Sequence, residues 1–542
     1  MSLKRVCGIA LALLLCLSLS SCAKKGADGD EPQSAANGRY LSLVDDDPDT
    51  LDPQCTSSFY TIPLNVFDRL TEIGVDGGGV SHVRPSLAKE WDISEDGLTY
   101  TFRLREGVRF SNGAALTASD VLYTFKRLLT HPDACNRDAV IAIKGAEALR
   151  RGESETLAGF RAISAYEFSI TLEYPYAAFL ACLATPGASI LDEETTEEAG
   201  ELFGKDASHT VGTGPFILSE WYPGSEIILD ANPDCWSGAP KCAGLDLQMI
   251  SDPEAQRVMF EKGELDILDL DNMGTDAEFF ARGDIYRDYL RSGPRVGITY
   301  IALNQSVEPL DRLPVRKALQ LALDRQLLLN AAYSGRGQVE NGIFPNGLAG
   351  ADPALEAIPY APEEARRLLS EAGYAQGFAL EIALPSSSGQ TVRELLTLTA
   401  AMWRRIGVDA QVKEMADDEF MALRKGGKLA CYCATWSADF DDPDNFIYTF
   451  FGNEENTVSR SLCYPDAEVM ARVRAARAIA DEDERVAEYR ALEKKIVQED
   501  AAWIPLFSRL HLFVVGRRTE GFKVSWNGWS SNCYRDVAVL GR

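Results

Sequence analysis

The stretch GLTYTFRLREGVRFSNGAALTASDVLYTFKRLL, from Gly97 to Leu129, indicates the fold class of this chain. Alternating residues from Thr99 to Arg103 predict a strand, which a turn at Asp96-Gly97 joins to a preceding strand. Thr117 then fits a helix N-cap with Asp120 as its capping-box partner, and apolar residues follow at helical spacing. A strand pair followed at once by an amphipathic helix predicts a compact α/β module. No residue in the module has an obvious catalytic partner.

The chain around this module is too long for one hydrophobic core. It has 542 residues, whereas single cores stop growing near ~250–300 residues. Hydrophobic residues make up 46% and charged residues 25%, which is the ordinary globular range and excludes a disordered, fibrous or polytopic membrane protein. Strands and helices alternate again from Arg295 to about Trp503, which predicts a second α/β lobe.

Hydrophobic spacing predicts the remaining elements that bear on the site. Apolar residues at helical intervals predict helices over Ile62–Ile73, Val315–Ala332 and Asp466–Gln498. An apolar run predicts a return strand over Trp503–Val515, and "VSWNGW" near the C-terminus predicts an edge strand over Val524–Trp529.

The N-terminus has the features of an export signal. Lys4 and Arg5 precede the apolar run Val6–Leu19, which is shorter than the about 20 residues of a spanning helix. The run ends in Leu-Ser-Ser-Cys at Cys22, a pattern typical of bacterial lipoproteins, although a plain secretory signal with a chance cysteine is the alternative. We predict a signal peptide over residues 1–21, a lipid on Cys22 and a flexible tether over residues 22–38. The protein is therefore expected outside the cytoplasm, anchored to the cell membrane.

The charge balance argues against nucleic acid as a partner. The formal net charge is −27, and removing residues 1–21 takes away two basic residues and no acidic one, which gives −29. Phosphate binding needs a basic face, and no basic patch for anionic lipid is visible either.

Nine of the 12 cysteines remain after residues 1–22 are set aside, so at least one thiol has no partner within the chain. Cys235 and Cys242 flank a Gly-Ala-Pro turn and are the best local pair for a disulfide in an exported protein. The four histidines are scattered, and none of their spacings predicts a metal site. No metal or cofactor is expected.

Motifs of common enzyme classes are missing from the sequence. It has no Gly-x-Ser-x-Gly elbow and no Gly-x4-Gly-Lys-Ser/Thr phosphate loop. "GTGPF" at Gly212–Phe216 is not a dinucleotide fingerprint, because a proline follows the second glycine and a strand follows the loop. Glycoside hydrolysis by a pair of carboxylates stays possible in a chain with 81 acidic residues, but the sequence singles out no such pair.

Five segments, in this order along the chain, together resemble the extracellular solute-binding proteins of family 5, which serve peptide and nickel ABC importers. They are the stretch from Pro85 to Leu129 (PSLAKEWDISEDGLTYTFRL and onward), GTGPFILSEWYPGSEIILDANPDCW, GELDIL, YIALNQSVEPLDRLPVRKALQLALDRQLL and WSADFDDPDNF. The resemblance runs from about Tyr40 to the C-terminus. It implies that the opening module is scaffold and contacts little ligand.

The resemblance implies an α/β, two-lobed periplasmic-binding-protein-like fold of the large cluster C type, with a hinge and a ligand cleft between the lobes. Lobe I would comprise residues 39–294, with residues 505–542 returning to it, and lobe II residues 295–504. The chain would cross between the lobes at Arg291–Tyr300 and Ala502–Arg509.

The implied function is capture of oligopeptides or dipeptides in the cleft and delivery to an ABC permease, by a monomeric binding protein that is not an enzyme. Two alternatives stay open. One is the same fold with a nickel chelate, an oligosaccharide or a signalling peptide as ligand. The other is a secreted hydrolase.

The resemblance also points to site residues. Peptide-binding members hold the ligand's ammonium with the Asp of a Trp-x-x-Asp motif, which corresponds to Asp439 here. The alternative is that Asp439 only caps the turn before Pro443. The further predicted contacts are backbone groups of β-strand residues and one loop of lobe I: Thr435, Trp436, Ser437, Ser58, Phe59 and Tyr60. Cys433 stands where some members carry a basic residue for the peptide carboxylate, which leaves that partner unassigned.

Overall fold

The computed structural model describes residues 37–541, apart from 57–58, 76–80, 272, 274 and 528–531. The predicted signal peptide, the lipidation site Cys22 and the predicted contact Ser58 lie outside these residues. Among the residues described, no helix combines the length and the apolar character that crossing a membrane requires.

Most strands lie at or near the positions where residues alternate between apolar and polar. The strands are β1 (Asn37–Val44), β2 (Thr71–Val75), β3 (Ser81–Pro85), β4 (Ala88–Ile93), β5 (Thr99–Leu104), β6 (Phe160–Ser164), β7 (Glu167–Thr171), β8 (Phe216–Tyr222), β9 (Glu226–Ala231), β10 (Cys242–Gln248), β11 (Ile267–Asp269), β12 (Leu290–Leu303), β13 (Gly337–Val339), β14 (Phe378–Pro385), β15 (Val408–Met415), β16 (Cys431–Ser437), β17 (Trp503–Val515), β18 (Thr519–Glu520) and β19 (Ala538–Val539).

Helices occupy the segments between the strands, and most of them are short. The helices are α1 (Thr61–Val66), α2 (Ala118–Thr130), α3 (Ala146–Arg150), α4 (Phe179–Cys182), α5 (Glu193–Ala199), α6 (Pro253–Lys262), α7 (Thr275–Arg282), α8 (Leu313–Leu321), α9 (Arg325–Tyr333), α10 (Pro362–Glu371), α11 (Gln390–Arg405), α12 (Asp417–Lys425), α13 (Asp444–Phe451), α14 (Glu454–Ser459), α15 (Ala467–Ala476) and α16 (Glu482–Glu493).

The opening module forms as predicted. β4 and β5 pair antiparallel and join β7 and β6 in a four-stranded sheet. Thr117 and Asp120 complete a capping box at the start of α2. The helix packs Phe125 against a buried core that also contains Phe102 and Phe168. The sheet and α2 therefore share one buried core, to which later segments of the chain also contribute.

One large mixed sheet runs through the molecule, in the order β15-β14-β16-β12-β17-β11-β1-β10-β9-β8 with β13 added against β17. Its two longest strands, β12 and β17, pair antiparallel along most of their length, with a register shift between Arg295 and Thr299. On one side of this strand pair lie β14, β15 and β16; on the other lie β11, β1, β10, β9 and β8. Separate buried cores fill the two sides.

We call the part of the chain built on β1–β11 lobe I and the part built on β13–β16 lobe II. The predicted α/β class with two lobes is confirmed. The exact boundaries at residues 294 and 504 stay a prediction.

The helix predicted over Ile62–Ile73 is wrong in its second half, because α1 ends at Val66. The Arg69 guanidinium turns back onto the carbonyls of Pro63 and Phe67, at 3.2 and 3.1 Å, and so satisfies acceptors at the helix end. The residues after Leu70 instead pair with β3 as strand β2.

Two other long helices are interrupted, and one strand is absent. The helix predicted over Val315–Ala332 is divided into α8 and α9, because the Asp324 side chain accepts the N–H of Leu327 and starts a new helix. Asp481 caps α16 in the same way, which divides the predicted helix over Asp466–Gln498. The edge strand predicted at Val524 is wrong for residues 524–527, which are irregular.

The cysteines in the described residues are all free thiols, so the Cys235–Cys242 disulfide does not form. Cys242 is fully buried at the start of β10, in the core of lobe I. Cys235 instead contacts the Ser237 hydroxyl at 3.3 Å.

Candidate functional site

A cavity of about 850 Å³ lies between lobe I, the C-terminal segment and the loop that follows β16. Lobe II contributes four consecutive residues to its wall, Ser437 to Phe440. Lobe I contributes residues around α1, β2 and β3, and the chain returns to line the cavity at residues 521–527, 533 and 535–537. No residue of the opening module from Gly97 to Leu129 is among the lining residues, as expected of scaffold.

Asp439 is a carboxylate on this wall whose only hydrogen-bond partner among the described residues is an amide. Asn445 Nδ2 donates to Asp439 Oδ2 at 3.1 Å, and the Asp439 N–H donates to Asn445 Oδ1 at 3.0 Å. The side chain is exposed to the cavity, yet it has enough protein around it to be partly desolvated. This partial desolvation raises the pKa of the carboxyl, and the Asp138 charge adds to the rise. The site thus has one acidic oxygen free for a cation.

Tyr60 faces the same carboxylate from lobe I. It precedes α1 and lines the cavity. Burial, followed by the charge of Asp439, raises the pKa of Tyr60 to about 12, so the hydroxyl stays protonated and can donate a hydrogen bond. Side chains from both lobes therefore meet at one place in the cleft.

The strand before Asp439 has an open edge. β16 pairs with β12 from Cys431 to Ser437, but with β14 only at Tyr432. Beyond Tyr432, no strand of the described chain occupies the edge of β16 that faces away from β12. Thr435 and Ser437 are exposed there. An extended ligand can add to such an edge through main-chain hydrogen bonds.

The structure brings some of the predicted site residues together in one cavity. Tyr60, Ser437 and Asp439 line one cavity. Trp436 and Thr435 are not among its lining residues, although Trp436 Nε1 donates to the same Asn445 Oδ1 that binds Asp439. Phe59 is part-buried beside Tyr60 and does not line the cavity either.

The loop after Asp439 is held by buried ion pairs. Arg485 Nη1 donates to both carboxylate oxygens of Asp442, at 2.8 and 2.6 Å. Arg477 lies 3.0 Å from the Asp444 carboxylate, which also accepts the Tyr176 hydroxyl of lobe I at 3.0 Å. The ammonium-binding candidate therefore stands on a rigid support, part of which reaches across to the other lobe.

Sequence reasoning missed the C-terminal contribution to the site. Asn527 Nδ2 donates to the carbonyl of Ala438 at 3.1 Å, next to Asp439, and its Oδ1 accepts the N–H of Val296 at 3.2 Å. The Asn-Gly pair in "VSWNGW" is a turn signal that argues against an edge strand there.

The strand pair between the lobes also brings unpredicted charges to the cavity floor. Asp271 lies 2.8 Å from His511 Nδ1 and 3.5 Å from Arg295, and both of these partners line the cavity. Burial lowers the pKa of His511, against the pull of Asp271. Local spacing gives no sign of this cluster, because its members come from β12, β17 and the loop after β11.

Comparison with known proteins places this geometry in a family. The family model described as bacterial extracellular solute-binding proteins, family 5 middle, matches residues 82–457. Haem-binding protein A of Haemophilus influenzae is 27% identical, with 100% of both chains covered. The dipeptide-binding protein of Escherichia coli K12 is 28% identical, over 88% of this chain and 90% of that protein.

A solved structure supports the same assignment. HbpA2 from Haemophilus parasuis is 26% identical and superposes with a TM-score of 0.79, covering 93% of this chain and 100% of that one. The two-lobed fold, the cleft and the ordered motifs agree with the family match over most of the chain. The chain belongs to the bacterial extracellular solute-binding proteins, family 5.

Proposed function

We propose that this protein binds short peptides in the cleft between its lobes and delivers them to the permease of an ABC importer. The observation that carries the proposal is Asp439, a carboxylate on the cavity wall that hydrogen-bonds only an amide among the described residues and follows the open edge of β16. A charge-assisted hydrogen bond to a peptide ammonium fits this place, and it is roughly twice as strong as a neutral one.

Main-chain binding explains how such a site can accept many peptides. The free edge of β16 offers the same N–H and C=O groups whatever side chains the ligand has. The name of the Escherichia coli relative, a dipeptide-binding protein, supports a short ligand. The protein would capture the ligand by closing its two lobes around it, since closure buries the ligand. It would act as a monomer and without catalysis.

Another relative is named a haem-binding protein, but the described site fits haem less well than it fits a peptide. His511 is the one histidine among the residues that line the described cavity. It is 1% exposed and its Nδ1 lies 2.8 Å from Asp271. A peptide ligand therefore fits the exposed groups of the cavity better than haem does.

Native mass spectrometry of the protein as purified tests the proposed ligand class. We expect co-purified masses that fit peptides of a few residues and that are displaced by added dialanine. Saturating dialanine should also compact the protein in small-angle scattering and raise its melting temperature by mass action. A metal chelate or a sugar as the only bound species, or turnover of a substrate, would replace this proposal by one of its alternatives.

The charge on Asp439 should make peptide affinity depend on pH. Because partial desolvation raises the pKa of this carboxyl, the loss of affinity on acidification should begin at a higher pH than an ordinary aspartate would give. Affinity for an ammonium ligand is complete above the pKa of the free site and falls about tenfold per pH unit below it. Calorimetric titration of dialanine from about pH 7 to about pH 4 measures this. The Asp439→Asn variant, which cannot ionise there, should give a nearly flat profile; an equal slope in both proteins would assign the titration to another group.

The proposed membrane anchor rests on Cys22, which ends the apolar run of the export signal. We propose that the cysteine carries lipid and holds the protein on the outer side of the cell membrane. In cells, Cys22→Ala should release the protein from the membrane fraction into the soluble fraction, as shown by fractionation and intact mass. Unchanged membrane retention at the wild-type mass would contradict lipidation.

A further inference from the structure

Three side chains of lobe I that can bind a metal ion meet outside the cleft. Cys55 Sγ lies 3.3 Å from Asp52 Oδ2 and 3.4 Å from His131 Nδ1, and all three ligand atoms lie within 4.8 Å of one another. Asp52 and Cys55 lie in the loop between β1 and α1, and His131 directly follows α2. We call these residues the thiol cluster. None of them lines the cavity of the proposed peptide site, so the cluster needs an explanation of its own.

The Cys55 thiol has fewer protons than neighbouring acceptors. Its single proton can bond either to the Asp52 carboxylate or to the His131 ring. The N–H of Asp133 donates to His131 Nδ1 at 3.3 Å, so this ring nitrogen presents a lone pair. Burial is the largest of the effects that raise the pKa of the thiol to about 12, so the proton stays on the sulfur in the absence of a cation. A cation in its place would contact all three ligand atoms.

The geometry fits zinc, and a fourth ligand lies nearby. Tetrahedral bonds of about 2.3 Å to sulfur and about 2.0–2.1 Å to nitrogen place these two atoms about 3.6 Å apart, close to the 3.4 Å between Cys55 and His131. Cys135 Sγ lies 3.3 Å from the carbonyl oxygen of Cys55, and Cys135 is exposed, which gives an ion a route from solvent. Two sulfurs, an imidazole and a carboxylate are all ligands that Zn²⁺ takes, whereas Mg²⁺ and Ca²⁺ bind oxygen.

The charges around the cluster leave it able to hold a dication. The Asp52 carboxylate already pairs with Arg127, at 2.6 Å from Nη2, so this ion pair is neutral. Arg127 Nη1 also donates to Gln54 Oε1 at 2.6 Å, which holds the loop that carries Cys55. Zn²⁺ displaces the protons of the two thiols, and the two thiolates balance its charge. The filled site is therefore neutral overall, as a part-buried ion requires.

We propose that the thiol cluster, together with Cys135, binds one Zn²⁺ ion, which joins the loop before α1 to the segment after α2. Cys55 and His131 are 76 residues apart, so no local Cys/His motif marks the site in the sequence. The joined segments continue into the cavity wall, at Tyr60 and Asn136. The ion would thus hold this part of the wall in place whichever ligand the cleft binds.

Zinc titration of the untagged, reduced and metal-free protein tests the site. We expect one tight Zn²⁺ site whose filling releases protons, and thiolate-to-metal absorption when Co²⁺ replaces Zn²⁺. Cys55→Ser, Cys135→Ser and His131→Asn should each weaken Zn²⁺ binding at least about 10-fold, since even changing a residue that only hydrogen-bonds a metal ligand costs this much. Cys463→Ser, the matched control in lobe II with the same partial exposure as Cys55, should bind Zn²⁺ like wild type.

Thermal melting and intact mass give independent readouts. Saturating Zn²⁺ should raise the melting temperature of wild type and Cys463→Ser by mass action, and leave that of Cys55→Ser unchanged. The site is overturned if the three ligand variants bind Zn²⁺ as the Cys463→Ser control does. It is also overturned if the purified protein is lighter by two hydrogens and peptide mapping shows a disulfide between Cys55 and Cys135, because both sulfurs would then be unavailable to the ion.

Discussion

Asp439→Asn should weaken the binding of a peptide with a free amino group by about 30-fold or more. Removing one partner of a buried charge pair typically costs about 2–5 kcal/mol, because the other charge stays buried and unpaired. At about 1.4 kcal/mol per decade, the lower value corresponds to roughly 30-fold in Kd. Asparagine keeps an oxygen that can accept from Asn445 Nδ2, so the local structure is preserved and the change isolates the charge. Titration of dialanine by calorimetry measures the loss.

The N-acetylated peptide is the ligand control for this experiment. It carries no ammonium, so Asp439→Asn should weaken it much less than the free peptide. Asp418→Asn, the same substitution at an exposed position of lobe II, should leave both ligands unaffected. An Asp439 whose only role is to cap a turn would give equal losses for both ligands and a lower melting temperature. That result would remove the main support for a peptide ammonium.

The sequence could indicate Asp439 only through the family resemblance, whose Trp-x-x-Asp motif is short enough to recognise in one chain. The structure places this residue just after β16, which ends at Ser437. The opening module was predictable from its own residues, since Thr117 and Asp120 interact across three residues. Short-range hydrogen bonds and hydrophobic spacing are visible in a single sequence.

The other parts of the site depend on contacts between distant segments. Asn527 reaches Ala438 across 89 residues, and Arg485 reaches Asp442 across 43. No local pattern marks either partner. The helix predicted to continue past Val66 shows the same limit, because the spacing of Leu70 and Ile73 fits a helix, yet residues 71–75 pair with β3 as a strand. The pairing with β3, a tertiary contact, determines that these residues form a strand.

Arg485→Met should lower the free energy of unfolding by about 3–5 kcal/mol, the usual cost of leaving one partner of a buried ion pair alone. Arg485 is 7% exposed and Asp442 is 4% exposed, so water cannot replace the guanidinium without disturbing the loop. Urea unfolding followed by tryptophan fluorescence measures the change. Arg367→Met is the matched control: Arg367 pairs with Glu364 and Glu371 on α10 but its side chain is 55% exposed, and such pairs contribute about 0–1 kcal/mol.

The double variant Arg485→Met/Asp442→Leu distinguishes the cost of a stranded charge from the loss of packing. Replacing both partners of a buried pair by apolar groups is often neutral, so the double variant should recover most of the stability that Arg485→Met loses. Peptide affinity should respond differently, because Asp442 also accepts the N–H of Asp444 at 2.9 Å and so shapes the loop that begins at Asp439. We expect the double variant to stay weakened for dialanine while its stability returns. Stability that fails to return would show that the arginine acts through its packing on α16, and that the buried charge is not what makes the single substitution costly.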